Sequence, residues 1–218
     1  MKKQTLNIAQ ICPVTEALGP GRRFVLWVQG CPFSCRGCIS PDWIEQRSAN
    51  QVEVSELAAY IVELAQSEKL EGITISGGEP MLQASALARL LRLVRAVRQE
   101  FTAISFSGFT LAQLRKKSLT DDGVADLLAS LDVLIDGLYV EKQNDGKGLR
   151  GSRNQQIHFL TPRYEHLAKT FNDASRRAEV HLLGIRGEML LVGVPSPQML
   201  ADFHLAAGKL LGEKEARS

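Results

Sequence analysis

Four short apolar runs, each stopped by glycine, are spaced along this chain with helix-length segments between most of them. Phe24-Val25-Leu26-Trp27-Val28 stops at Gly30, and Gly72-Ile73-Thr74-Ile75-Ser76 stops at Gly77-Gly78. Ala103-Ile104-Ser105-Phe106 stops at Ser107-Gly108, and Asp132-Val133-Leu134-Ile135 stops at Asp136-Gly137. Their β-branched and aromatic content predicts buried strands. Between them, Val54 to Gln66 repeats Leu57, Ile61, Leu64 and Ala65 at helical spacing, and Leu82 to Val97 does so with Leu87, Leu90, Leu91, Val94 and Val97. Leu111 to Leu131 reads as helix broken near Asp121-Asp122-Gly123. Strands joined by helices of this length form a parallel sheet with right-handed crossovers. Ligands in such sheets sit beyond the carboxyl ends of the strands. Gly77-Gly78, Ser107-Gly108 and Asp136-Gly137, after the second, third and fourth runs, are therefore predicted to share one rim.

The remainder of the chain has a different pattern. Asn144 to Asn154 holds three glycines and reads as a loop. Glu179 to Leu183 and Met189 to Val194 alternate around Gly184 and Gly187, which predicts a hairpin. Ser196-Pro197 opens a last amphipathic helix through Leu211, and Gly212 to Ser218 is expected to fray. A length of 218 residues suits one large domain, or one domain with an appendage.

Charge and hydropathy exclude several classes. The net charge is +2, from 26 Lys and Arg against 24 Asp and Glu, so nucleic acid and anionic membrane are not expected partners. No apolar run reaches the roughly 20 residues of a membrane helix. Met1-Lys2-Lys3-Gln4-Thr5 looks basic, but Asn7, Gln10 and Pro13 deny it an apolar continuation, so no secretion signal is read and a reducing cytoplasm is expected. Arg89, Arg92, Arg95 and Arg98 line one helix face, read first as a solvated surface and second as a dock for an acidic partner.

Three of the four cysteines fall in Gly30-Cys31-Pro32-Phe33-Ser34-Cys35-Arg36-Gly37-Cys38. Three thiolates so close on a loop can wrap one metal centre and cannot all pair as disulfides. A [4Fe-4S] cluster usually takes four cysteines; held by three, it leaves one iron open for chemistry. The competing reading is a zinc knot completed by Cys12, although structural zinc normally uses two Cys-x2-4-Cys pairs.

Cys31, Cys35 and Cys38, with Gly77-Gly78-Glu79-Pro80 after a predicted strand, resemble the radical S-adenosylmethionine (SAM) superfamily. Glycine there lets the backbone approach the methionine part of SAM. A narrower resemblance is to the anaerobic ribonucleotide reductase activating proteins. It rests on Gly19-Pro20-Gly21-Arg22-Arg23, Val28-Gln29-Gly30-Cys31-Pro32, Gly37, Ser107-Gly108-Phe109-Thr110, Asp136-Gly137 and Gly151-Ser152-Arg153-Asn154-Gln155. It departs at Ile39-Ser40-Pro41-Asp42-Trp43, at Arg153, and in the segment from Glu179 to Leu211.

The resemblance implies an α/β fold, a partial (incomplete) parallel β/α barrel of the radical SAM type carrying a C-terminal β-hairpin and helix. Residues 1–175 would be the core and 176–218 the extension. It implies a [4Fe-4S] cluster on Cys31, Cys35 and Cys38, and SAM lined by Gly37, Cys38, Ile39, Gly77, Gly78 and Glu79. Ser107 and Asp136 are further candidates for SAM or an ion. Asp136 reads equally as a turn carboxylate, and Asn154 and Gln155 as a loop bonding its own backbone. The implied activity is reductive cleavage of SAM to install a glycyl radical on a partner enzyme, with an external one-electron donor such as flavodoxin or ferredoxin. No residue beyond the cluster is expected to be catalytic, and His158, His166, His181 and His204 need not be. The alternatives are a radical SAM enzyme acting on a small molecule or peptide, and a non-catalytic zinc or iron–sulfur module.

Overall fold

The computed structural model describes residues 4–183 and 188–215. The chain opens with β1 (Thr5–Thr15), β2 (Arg23–Val28) and β3 (Asn50–Glu53), then α1 (Val54–Ser67) and β4 (Gly72–Gly77). It continues through α2 (Ala84–Val97), β5 (Thr102–Ser107), α3 (Leu111–Lys117), α4 (Asp122–Ser130) and β6 (Val133–Asp136). It ends with β7 (Gln156–Phe159), α5 (Ala168–Asp173), β8 (Ala178–Leu183), β9 (Glu188–Gly193) and α6 (Pro197–Glu215).

The four glycine-stopped runs are β2, β4, β5 and β6, and they lie side by side in parallel. They form the centre of a seven-stranded sheet of order β3-β1-β2-β4-β5-β6-β7. The flanking strands β1, β3 and β7 pair antiparallel. The architecture is thus mixed α/β with an open, parallel-rich sheet, and among the described strands β3 and β7 remain its two edges. All six residues of β2 are buried because both sheet faces are covered. Phe24, Leu26, Val28, Ile73 and Ile75 face α1, α2 and α4. Val25 and Trp27 face the other way, and Ile104, Val133 and Ile135 belong to a neighbouring cluster with Tyr164 and Phe171.

The helix boundaries obey local chemistry. Thr110 and Gln113 form a reciprocal capping box at the start of α3, and Asp121 caps α4, which explains the break at Asp121-Asp122. Two of the four arginines on the α2 face are engaged within the chain. Arg92 pairs with Asp126, and Arg95 reaches Phe101 O, Ser130 O and Asp132. The hairpin forms as β8 and β9; its turn residues Gly184 and Gly187 lie outside the described residues, as do Met1–Lys3 and residues 216–218. The last helix runs on to Glu215, past the fraying point expected at Gly212.

At the amino ends of the parallel strands sits Arg23, fully buried. Its guanidinium donates to Thr74 Oγ1 (2.8 Å), Thr102 Oγ1 (3.0 Å), Ile73 O (2.6 Å) and Tyr164 OH (3.3 Å). Tyr164 OH in turn donates to Glu71 Oε1 at 2.7 Å. Burial pulls the Arg23 pKa below the ordinary arginine value. One side chain thereby ties β2, β4, β5 and the segment after β7 together. The adjacent Arg22 only pairs with Glu68 at the surface. Arg23→Ala should lower unfolding stability by roughly 3–5 kcal/mol in urea titrations, since it leaves both a cavity and orphaned acceptors. Arg22→Ala should cost about 1 kcal/mol or less.

Candidate functional site

The carboxyl ends of β2, β4, β5 and β6 make the predicted rim. β2 runs through Gln29 into Gly30, at φ +95, where the cysteine loop begins. The base of that loop is strapped to the segment behind it. Gly30 N donates to Trp43 O and Cys31 N to Ile44 O, both at 2.9 Å, and Gln29 Nε2 donates to Glu45 O at 2.7 Å. Within the loop Cys38 N donates to Cys35 O (3.1 Å), a tight turn that puts Gly37 at φ +73. Ile39, the next residue, is half exposed.

Gly77 and Gly78 end β4 directly against this loop. A Cβ on Gly78 would lie 2.2 Å from Gly30 O, and one on Gly77 2.4 Å from Val28 N. The absent side chains let Gly78 N donate to Val28 O (2.7 Å) and Glu79 N to Gly30 O (2.8 Å). Glu79 is buried. Its carboxylate accepts from Met81 N (2.9 Å), Ser107 Oγ (2.9 Å) and Gly108 N (2.7 Å). The two site candidates Glu79 and Ser107 are therefore one hydrogen-bonded unit joining β4 to β5. Asp136, at the end of β6, accepts from Leu111 N at the start of α3 and faces His158 Nε2 at 2.9 Å.

The late polar motif fastens its own loop to this rim. Gln155 Nε2 donates to Gly137 O (2.7 Å), Asn154 Nδ2 to Leu138 O (2.8 Å), and Gln155 Oε1 accepts from Gly151 N. These side chains bond backbone, as one of the two sequence readings has it. The contact of His158 with Asp136 escapes a reading of the sequence because a lone histidine in a short edge strand carries no spacing signal. Gln29 stands in a recognised motif, but its strapping role depends on a contact with Glu45 that only the folded loop makes.

All four cysteines are free thiols. Burial pushes the Cys31 thiol up to about 11, and the charges of Glu79, Cys38 and Cys35 push the same way. Burial also raises Cys38. Thiols of this kind stay neutral until iron binds and displaces their protons. Among the described residues, no three His, Cys, Asp or Glu side chains close around a point where one ion could sit. An all-thiol donor set is one that both zinc and an iron–sulfur cluster take. Cys12 does not join them. It pairs with Val25, three residues short of the rim and so roughly 10 Å down the strand, and its thiol donates to Val14 O. Phe33 in the cysteine loop meets Phe109 edge-on at 4.8 Å, with Lys117 Nζ 5.4 Å from the Phe109 ring centre, and so walls the rim. Trp43 instead packs on Trp27 at 5.5 Å and belongs to the core.

Burial holds the Glu79 carboxyl above the usual carboxylate range, against the three donors that pull it down. A raised folded pKa favours the protonated native state, so stability is greatest below the ordinary glutamate range and declines as pH rises through the raised value. Glu79→Gln should flatten that decline in pH-dependent urea titrations, because an amide has no proton to lose in that range.

Residues 17–158 match the family described as the 4Fe-4S single cluster domain. The anaerobic ribonucleoside-triphosphate reductase-activating protein of Vibrio cholerae is 35% identical over 161 residues, spanning 72% of this chain and 99% of that protein. The protein of the same name from Escherichia coli K12 is 31% identical, over 71% of this chain and 99% of its own length. That of Enterobacteria phage T4 is 27% identical, over 70% and 93%. Among solved structures, QueE from Escherichia coli superposes with a TM-score of 0.37 at 17% identity, over 50% of this chain and 54% of that one. On the match across residues 17–158 and the identity to the Vibrio protein, this chain belongs to the 4Fe-4S single cluster domain family.

Proposed function

We propose that this chain is a radical SAM activase that installs a glycyl radical on an anaerobic ribonucleoside-triphosphate reductase. The observation that carries it is the seating of Gly77-Gly78 on the base of the three-cysteine loop, with Gly78 N on Val28 O and Glu79 N on Gly30 O. The relatives' shared name supports the target. Cys31, Cys35 and Cys38 would hold a [4Fe-4S] cluster. Bound there, such a cluster would supply the electron for reductive cleavage of SAM to methionine and a 5′-deoxyadenosyl radical, the species that would take a hydrogen atom from a backbone glycine.

The chain's own residues bind and orient. The main chain of Gly37 to Ile39 and of Gly77 to Glu79 lines the SAM position. Glu79 and Ser107 join β4 to β5 at this rim, and Asp136 fixes the start of α3. Phe33 and Phe109 exclude water from one flank. Four parallel strands in an open sheet suit an incomplete β/α barrel, whose open side admits a loop of another protein. Residues 1–175 would form that core and 176–218 an added unit, in keeping with a family match that stops at residue 158. An external low-potential carrier, flavodoxin or ferredoxin, would supply the electron. Four free thiols suit a reducing cytoplasm, and among the described residues no helix is long and apolar enough to cross a membrane. A small-molecule or peptide substrate is the second reading, favoured by the C-terminal hairpin that covers part of the sheet's inner face with Val192.

Anaerobic reconstitution with iron and sulfide, then SAM and a strong reductant, should yield 5′-deoxyadenosine, and Cys35→Ala should abolish it. Addition of the reductase should then give a glycyl-radical signal in electron paramagnetic resonance. SAM cleavage without that signal would move the assignment to the second reading, and zinc without sulfide would overturn both.

A further inference from the structure

The C-terminal hairpin lies outside the stretch matched to the family, yet it packs on β2, the strand that leads into the cysteine loop. A two-stranded ribbon is marginally stable alone in water and needs a surface to hold it. β8 and β9 find one on the sheet face opposite α1 and α2. Val192 is fully buried in a cluster with Val25 and Trp27, and Leu190 packs against the same cluster. The opposite side of the ribbon stays wet, with Leu182 74% exposed. Polar contacts pin the base. Glu179 accepts from Thr15 Oγ1 (2.5 Å) and Glu16 N (2.9 Å), and the Arg176 guanidinium donates to Arg150 O (2.6 Å) and Pro195 O (3.1 Å).

The same apolar cluster has Trp43 packed against it, through the Trp27–Trp43 contact at 5.5 Å. Trp43 is also the residue whose carbonyl accepts from Gly30 N, and its neighbour Ile44 accepts from Cys31 N. The hairpin, Trp27, Trp43 and the first cysteine thus form one mechanically continuous path. We propose that the C-terminal hairpin is a positioning element for the iron–sulfur loop, acting through Trp27 and Trp43 to hold the Gly30 and Cys31 amides. Its meaning for a cluster rests on the function proposed above; the support of the loop itself does not. Groups one layer behind metal ligands set ligand orientation, and their loss typically costs 10–100-fold in metal affinity.

The test uses full-length protein and three variants. Val192→Ala trims the hairpin's anchor. Trp43→Phe keeps an aromatic on Trp27. Leu127→Ala makes a cavity on the other sheet face, in the helix-side core, as a control for lost stability. Two rates are read: iron loss from the reconstituted protein to a chelator without oxygen, and hydrogen exchange of the Gly30 and Cys31 amides in the cluster-free chain. Val192→Ala should speed both by roughly tenfold, Trp43→Phe should stay near wild type, and Leu127→Ala, compared at equal distance from its unfolding midpoint, should leave both unchanged. Equal acceleration in Val192→Ala and Leu127→Ala, or none in either, would overturn the proposal. Should wild-type protein assemble no cluster, the function fails, while the exchange rates still decide the hairpin's role.

Discussion

The site depends on a contact that no side chain makes. Gly78 lies so close to Gly30 O that any β-carbon would be driven into it. Because there is none, two backbone hydrogen bonds join the end of β4 to the root of the cysteine loop. That brings the segment expected to meet the cofactor's methionine part against the segment carrying the thiols, with no flexible side chain between them. The geometry is held by main chain, which loses little entropy once the sheet has formed. Glu79 then spreads the constraint to β5 through Ser107 and Gly108 N.

Stability and chemistry occupy opposite ends of the same strands. Arg23 knots the amino ends of β2, β4 and β5 with a buried cation whose partners are hydroxyls and carbonyls. At the carboxyl ends the strands stop on glycines, and the backbone is free to turn. A buried charge is costly, and it is tolerated here because the guanidinium is surrounded by acceptors and linked through Tyr164 to Glu71. The rigid end lets the other end carry a loop that three half-buried thiols share.

The two faces of the sheet are covered by different means. α1, α2 and α4 cover one face, as strand–helix alternation requires. The second face is covered by pieces from far along the sequence: Leu149, Tyr164, Phe171 and Val192. The residues outside the family match therefore complete the burial of strands inside it, and they reach the cysteine loop through two tryptophans.

Much of this is legible in the amino-acid order alone. The glycine-stopped runs locate β2, β4, β5 and β6 within a residue or two, and the cysteine spacing with Gly77-Gly78 locates the rim. β1 escapes such a reading because bulges between Ile8 and Gln10 and between Cys12 and Thr15 break its alternation. β3 and β7 escape it because four-residue edge strands hold too few residues to show a period. Local sequence determined which residues are strands, where each must turn, and which three thiols share a loop, since these depend on neighbours a few positions apart. Only the tertiary structure decided that Glu79 spends its carboxylate on β5, that Cys12 stays roughly 10 Å down the strand from the rim, and that a C-terminal hairpin packs on Val25 and Trp27. Those outcomes depend on contacts between residues far apart in sequence, and these exist only once the sheet has assembled.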